Sequence, residues 1–365
     1  MTPKKIILCV TNDLTTDQRM IRICKSLANS GFEIELVGRK LKGSMPLLSK
    51  DYKQTRLNIF FTKGPLFYLE FNIRLFLYLL VNKFHIVCAN DPDTLAACAL
   101  AKIIKGKKGV YDSHEYFTET PELNKRMFKK KIWSFVENFF GRMMDAHYTV
   151  GSELAKILSV KLNRKFEVVR NVPSLKKDAS HSNPREKILI YQGVLNIGRG
   201  IEEAIQAMKF LPDYELWIVG DGDIAASLKD SVPREIQYRI KFLGKVSPDR
   251  LHALTSQARY GLNLLDGNSK NYYYSLANKF FDYLQASIPS INSNFPEYQS
   301  ILENHKVGIL LPNMDVNTLV STIQKLDTNE DLYNTIIQSI EQYRHQYTWE
   351  AEEIKLLDIY LKLLV

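Results

Sequence analysis

Cysteine is scarce in this 365-residue chain, with four residues, Cys9, Cys24, Cys88 and Cys98, and none beyond. They form no C-x-x-C pair, which excludes a disulfide-framed domain and a cysteine-ligated zinc module and leaves buried thiols in a reducing compartment. The seven histidines show neither H-x-x-x-H nor H-x-H spacing, so no metal site is expected. Neither G-x-G-x-x-G nor G-x-x-x-x-G-K-[ST] occurs, which removes the usual support for dinucleotide and P-loop readings. No run reaches the roughly 18–20 uninterrupted apolar residues of a spanning helix. The nearest, residues 66–81, is interrupted by Glu70, Asn72 and Arg74. Behind Lys4 and Lys5 the apolar residues 6–10 imitate a signal peptide, but Thr11-Asn12-Asp13 ends the run too early. The run reads as a buried first strand, and the chain as cytoplasmic.

What the chain does have is 45% hydrophobic residues. At about 150 residues per domain, that is enough for two cores. The net charge of +9 is unevenly spread. Residues 1–180 carry 31 Lys and Arg against 17 Asp and Glu, a net +14. Residues 181–365 carry 18 against 23, a net −5. The two halves therefore meet different partners, and the basic half faces something anionic.

Short apolar runs alternate with helical patterns. Strands are expected near 5–11, 33–37, 57–61, 85–89, 109–112, 147–150 and 167–170, with helices between them. A polar, aperiodic stretch follows, and the alternation then restarts near residue 188. Such alternation predicts parallel sheets covered by helices. The expected fold class is α/β, with two Rossmann-like doubly wound domains. Their boundaries are read as 1–175, a linker at 176–185, 186–345, and a closing helix at 346–365 that crosses back to the first domain. Ligands of such sheets bind at the carboxyl ends of strands, so a cleft between the domains is the expected site.

Three segments carry the chemistry of the second half. In Tyr274-Ser275-Leu276-Ala277-Asn278-Lys279-Phe280-Phe281-Asp282, a polar Ser275 precedes a helical pattern whose N-terminus suits an anion. Asn278 and Asp282 stand one turn apart, facing a ligand or simply solvated. In Tyr191-Gln192-Gly193-Val194-Leu195-Asn196-Ile197-Gly198-Arg199-Gly200, a strand ends in a glycine loop with Arg199 placed for a phosphate. Trp217-Ile218-Val219-Gly220-Asp221-Gly222-Asp223 repeats the strand-to-glycine-turn pattern.

Together these segments resemble the C-terminal domain of retaining GT-B glycosyltransferases of family 4, in a variant with S-L-x-N-K-x-F-(E/D)-Y. The resemblance covers essentially the whole chain. It implies a nucleotide diphosphate sugar (UDP- or GDP-sugar) as donor and no separate cofactor. It implies that Arg199 holds the donor diphosphate with the amides of Ser275 and Leu276, helped by Gly193, Gly220 and Lys279. It implies that Asp282 binds the donor ribose, with Tyr274 and Asn278 beside the donor. The chain departs from the family at Tyr274, where an acid is usual, and at Val194, where arginine is common. It also implies that His114, after a strand, stands near the transferring sugar as a catalytic residue with Arg199, although a lone histidine there is also a common structural feature. Asn12, Asp13, Asp17, Arg19 and Glu115 fall on the acceptor side, with Asp17 alternatively a helix cap. Asp91 and Asp93 read as caps of the next helix.

The first half adds a basic, aromatic segment containing Lys125, Arg126, Lys129, Lys130, Lys131 and Trp133. It suits an anionic bilayer surface, or a core-facing helix with a solvated end. The expectation is peripheral placement on the inner face of the plasma membrane, with no nucleic acid bound because no such motif occurs. The expected activity is transfer of a hexose, with retention, to a glycan or lipid-linked acceptor in surface polysaccharide synthesis. The alternatives are a nucleotide-sugar epimerase using Asp112 or Glu115, and an inactive nucleotide-sugar-binding partner protein.

Overall fold

A computed structural model describes residues 3–15, 17–124, 126–176 and 185–364. The chain divides into two compact units, one running to Asn171 and resuming at Glu352, the other Val172–Ala351. The expected linker lies largely outside the described residues.

The first unit holds seven strands: β1 (Lys5–Cys9), β2 (Glu33–Arg39), β3 (Lys53–Leu57), β4 (Ile86–Asn90), β5 (Lys108–Ser113), β6 (Ala146–Thr149) and β7 (Glu167–Val168). Their spatial order is β3-β2-β1-β4-β5-β6-β7, and every pairing is parallel. The central strands are covered on both faces, so β4 is buried at every residue, and its Ile-Val-Cys-Ala run needs no polar alternation. The thiols are free and buried, and burial raises those of Cys9, Cys24 and Cys88. On β2, next to the edge strand, the buried Glu35 takes Lys5 and Lys53 as ion partners and accepts from Thr55. Burial alone would raise its carboxyl, but the hydrogen bonds from Tyr78, Thr55, Lys53 and Lys5 prevail and hold it at about 2.

Strand β3 corrects the expected strand at 57–61. Its sequence Lys-Gln-Thr-Arg-Leu is polar because it lines the sheet edge, whereas the apolar Phe60 and Phe61 are exposed in the following loop. Helix Gln18–Asn29 starts where Asp17 accepts the Met20 N–H at 3.0 Å, a cap worth about 1 kcal/mol.

The second unit holds β8 (Glu186–Gln192), β9 (Glu215–Val219), β10 (Ile240–Gly244), β11 (Ala258–Asn263), β12 (Ser290–Ser293) and β13 (Gly308–Leu311). Their order is β10-β9-β8-β11-β12-β13, also all parallel. Helix Trp349–Lys362 leaves this unit and completes the first. There the buried Glu352 carboxylate accepts from the Arg170 N–H (3.0 Å) and guanidinium (3.1 Å). Tyr360 is buried against Cys88 and Tyr148.

Candidate functional site

In the second unit the loops after β8 and β9 touch at glycine. Gly193 and Gly220 have φ of +132° and +136°, and a Cβ on Gly220 would stand 1.8 Å from the Gly193 carbonyl oxygen. Only glycine meets both demands. Next to this contact is helix Asn278–Gln285, whose cap position, Ala277, makes no side-chain cap hydrogen bond. The first-turn amides are thus left without a capping side chain. Ser275, two residues before Ala277, does not cap this helix. Its hydroxyl turns back to the Tyr272 carbonyl at 2.8 Å.

Lys279 is buried, with Nζ 3.6 Å from the Tyr191 ring centroid, and among the described residues Nζ has no hydrogen-bond partner. Burial, then the neighbouring Arg199, push its ammonium well below the ordinary lysine range, with Asp282 acting against them. A Cβ on Gly193 would come within 3.6 Å of that Nζ, so ammonium and glycine loop are neighbours. The Arg199 guanidinium lies 5.3 Å over Tyr272, and among the described residues its buried Nε has no hydrogen-bond partner. Asp282 accepts from Gln192 Nε2 at 2.9 Å, and Gln192 Oε1 accepts from Thr255 at 2.8 Å. Two cations, an uncapped helix start and an oriented carboxylate therefore share the carboxyl end of β8, an arrangement suited to a diphosphate with a neighbouring hydroxyl.

Gly193, Arg199, Gly220, Lys279 and Asp282 are brought together. Asn278 is exposed, whereas Asp282 is half-buried against Gln192, so they do not act as a pair. Leu276 is buried, and Tyr274 follows the single turn Lys270–Tyr273 with its ring 4.9 Å from Tyr273, edge to face. Tyr191, Gln192 and Thr255 went unread as site residues. A polar glutamine ending an apolar strand was the available signal.

In the first unit a second cluster sits at the ends of β4 and β5. Asp91 holds His114 twice, at Nδ1 (2.9 Å) and at the backbone N–H (3.2 Å). Partial desolvation would lower the half-exposed imidazole, but Asp91 overrides it and raises His114 to about 9. Asp93 accepts from Thr11 at 2.6 Å, and burial followed by Asp91 raises its carboxyl to about 7. Asp91 therefore does not cap the next helix by its side chain, as expected, but turns to His114. Its φ of +60° is unusual for a non-glycine residue.

Arg19 is corrected from an acceptor-side group to a buried partner of Asp112, held through both guanidinium nitrogens. Asn12 donates to Asp17 at 2.6 Å, Asp13 accepts from Thr15, and Asp17 caps its helix, so these three stabilise their own loop. Glu115 is half-buried just beyond β5. Trp133 is packed edge-on against Tyr68 (4.9 Å) and Phe117 (5.2 Å), and Lys130 pairs with Glu119 at 2.7 Å. Lys125 lies outside the described residues. Among the described residues no group of three His, Cys, Asp or Glu is placed to hold a metal ion.

Two family models match the chain in tandem. Glycosyltransferase Family 4 matches residues 17–172, and Glycosyl transferases group 1 matches residues 174–343. The chain belongs to the family 4, group 1 glycosyltransferases. Solved structures agree on the fold, which is GT-B. Sucrose-phosphate synthase from Thermosynechococcus elongatus has a TM-score of 0.80 at 17% identity, with 99% of each chain covered. HepE from Anabaena, in complex with UDP and glucose, has a TM-score of 0.74 at 13% identity, again with 99% of each chain covered. WaaG, a glycosyltransferase involved in lipopolysaccharide biosynthesis, has a TM-score of 0.70 at 11% identity, covering 97% of this chain and 99% of the other. No curated protein sequence matches significantly.

Proposed function

We propose that this glycosyltransferase moves a hexose, with retention, from a UDP- or GDP-sugar to a glycan or lipid-linked acceptor of a surface polysaccharide. The observation that carries the donor assignment is the unpartnered, buried Lys279 ammonium beside Arg199 at the uncapped start of helix Asn278–Gln285. A diphosphate supplies the negative charge that both cations lack, and it is the group whose charge grows as the glycosidic bond breaks. Asp282, oriented by Gln192, is the proposed partner of a ribose hydroxyl. The complex of HepE with UDP-glucose supports the same donor class. The role proposed for the His114 imidazolium, held by Asp91, is proton donation during the transfer. Neutralisation by side chains makes the proposed chemistry metal-independent, and the cations of helix Met127–Gly141 favour peripheral placement on the cytoplasmic membrane face.

The test is a panel of UDP-, GDP- and ADP-sugars, scored for nucleoside diphosphate release with and without glycan acceptors. Acceptor-dependent release with a product of retained anomeric configuration supports the reading. Arg199→Ala and Asp282→Ala are each expected to cut turnover at least tenfold with unchanged circular dichroism, and wild-type rates in both would overturn the site. Sugar conversion without release would instead support epimerisation. That alternative loses Asp112, whose carboxylate is already held by Arg19.

A further inference from the structure

Helix Gly64–Val81 is apolar on two opposite faces. Phe67, Phe71, Leu75 and Leu79 point into the core of the first unit. Leu66, Leu69, Ile73, Leu77 and Val81 follow one another at helical spacing on the other side, and each is more than half exposed. By length and composition it is the one helix among the described residues able to cross a membrane, yet only 22% of it is buried in the protein. Its inner face belongs to the core, so the helix lies along the unit and cannot leave it to span a bilayer.

Its neighbours continue the surface. Asn72 ties it to helix Pro92–Lys105, accepting from the Ala97 N–H (3.2 Å) and donating to the Asp93 carbonyl (2.7 Å). Tyr68 meets Trp133 of helix Met127–Gly141. The outer sides of these neighbours are apolar as well: Ile103 and Ile104 on one, and Phe128, Ile132, Phe135 and Phe139 on the other. All three helices pack against the same core. Among the described residues 24 large hydrophobics are exposed, and only Val194, Ile197, Phe210 and Tyr238 of them belong to the second unit. Surfaces of this kind mark an interaction site rather than ordinary exposure.

The charges at the margin select the occupant. Lys63 precedes helix Gly64–Val81 and Lys83 follows it, Lys107 and Lys108 follow helix Pro92–Lys105, and Lys131 projects from the third helix, all of them exposed. An apolar stripe with cations at its ends matches a bilayer with anionic headgroups, in which side chains enter the acyl boundary while ammoniums stay at the phosphates. A second copy of the chain would bring the same cations against each other.

We propose that helix Gly64–Val81 lies flat in the surface of an anionic membrane, entering it through Leu66, Leu69, Ile73 and Leu77, with the helices at Pro92–Lys105 and Met127–Gly141 on its flank. This deepens the peripheral placement proposed above and moves its centre from the basic segment to a different helix. It does not depend on which sugar is transferred.

The test is flotation of the full chain with vesicles of phosphatidylglycerol and phosphatidylcholine, with pure phosphatidylcholine vesicles, and with no lipid. Binding is expected with the anionic vesicles, weakening with salt. Ile73→Glu with Leu77→Glu, both at exposed positions, is expected to lower partitioning at least tenfold while leaving the melting temperature and nucleoside diphosphate release to a water-soluble acceptor unchanged. Leu77→Trp is expected to show a blue-shifted emission when vesicles are added. Partitioning of the double variant equal to wild type, or no shift in the tryptophan variant, overturns the proposal. So does a dimer in solution that the double variant dissolves without any vesicle binding. Vesicle binding without sugar transfer would count against the activity alone.

Discussion

Lys279 is a strained choice of residue by ordinary folding criteria. A buried ammonium without a hydrogen-bond partner costs roughly 2 kcal/mol or more relative to an apolar side chain of similar length. Lys279→Met is therefore expected to keep or raise the melting temperature, while UDP or GDP affinity measured by calorimetry falls at least tenfold. A variant that loses both stability and affinity would mean that the lysine serves packing alone. The Asp91–His114 pair makes a second residue-level prediction. Because Asp91 raises the imidazole from 6.5 to about 9, its contribution to stability is complete below pH 6.5 and is lost as pH rises through about 9. Asp91→Asn should drop the His114 titration, followed by NMR, to 6.5 or below, because desolvation then acts unopposed by Asp91, and bring down the alkaline limb of the pH–rate profile with it. An unchanged limb would separate His114 from the rate.

Among the elements, the turn after β9 is the least tolerant. Gly220→Ala places a methyl group against the Gly193 carbonyl and forces alanine to a φ of +136°. The cost is about 3 kcal/mol or more, visible as a lower denaturation midpoint together with weaker nucleotide binding, since the displaced loop is the one beside Lys279. This turn was legible in the sequence because strand, glycine and helix follow each other within a few residues, and the same holds for β8 and Arg199. Edge strand β3 was not legible, because a strand paired on one side carries polar residues and leaves no apolar run. Nor were the roles of Arg19 and Asp91. Both stand at strand-to-helix junctions, where a charged residue reads equally well as ligand, cap or buried partner until the distant residue, Asp112 or His114, is located. The burial of Lys279 escaped for the same reason, since an amphipathic helix shows which face is apolar but not that a loop from another strand closes over its first turn.

At the scale of the molecule, the opposite charges of the two halves fall on two units with one topology. The division into units falls after Asn171 and again within helix Trp349–Lys362. The closing helix binds the first unit through Glu352 and Tyr360. Ending the chain at Ala351 is expected to uncover the Cys88 region, so that a thiol reagent labels Cys88 at least tenfold faster than in the intact chain. Equal labelling would show that the helix covers nothing essential.

The same helix sets an order of events during synthesis. The second unit is continuous in the chain and has all its strands once residue 311 is made. The first unit begins at the N-terminus but lacks Glu352 and Tyr360 until the ribosome has passed both. Until then its seven-stranded sheet is uncovered along the surface that Tyr148 and Cys88 later share with Tyr360, while the strands of the second unit are already complete. The half translated first is thus the half completed last, and a chain stalled before residue 352 carries every residue of the second unit beside a first unit that still lacks its closing helix.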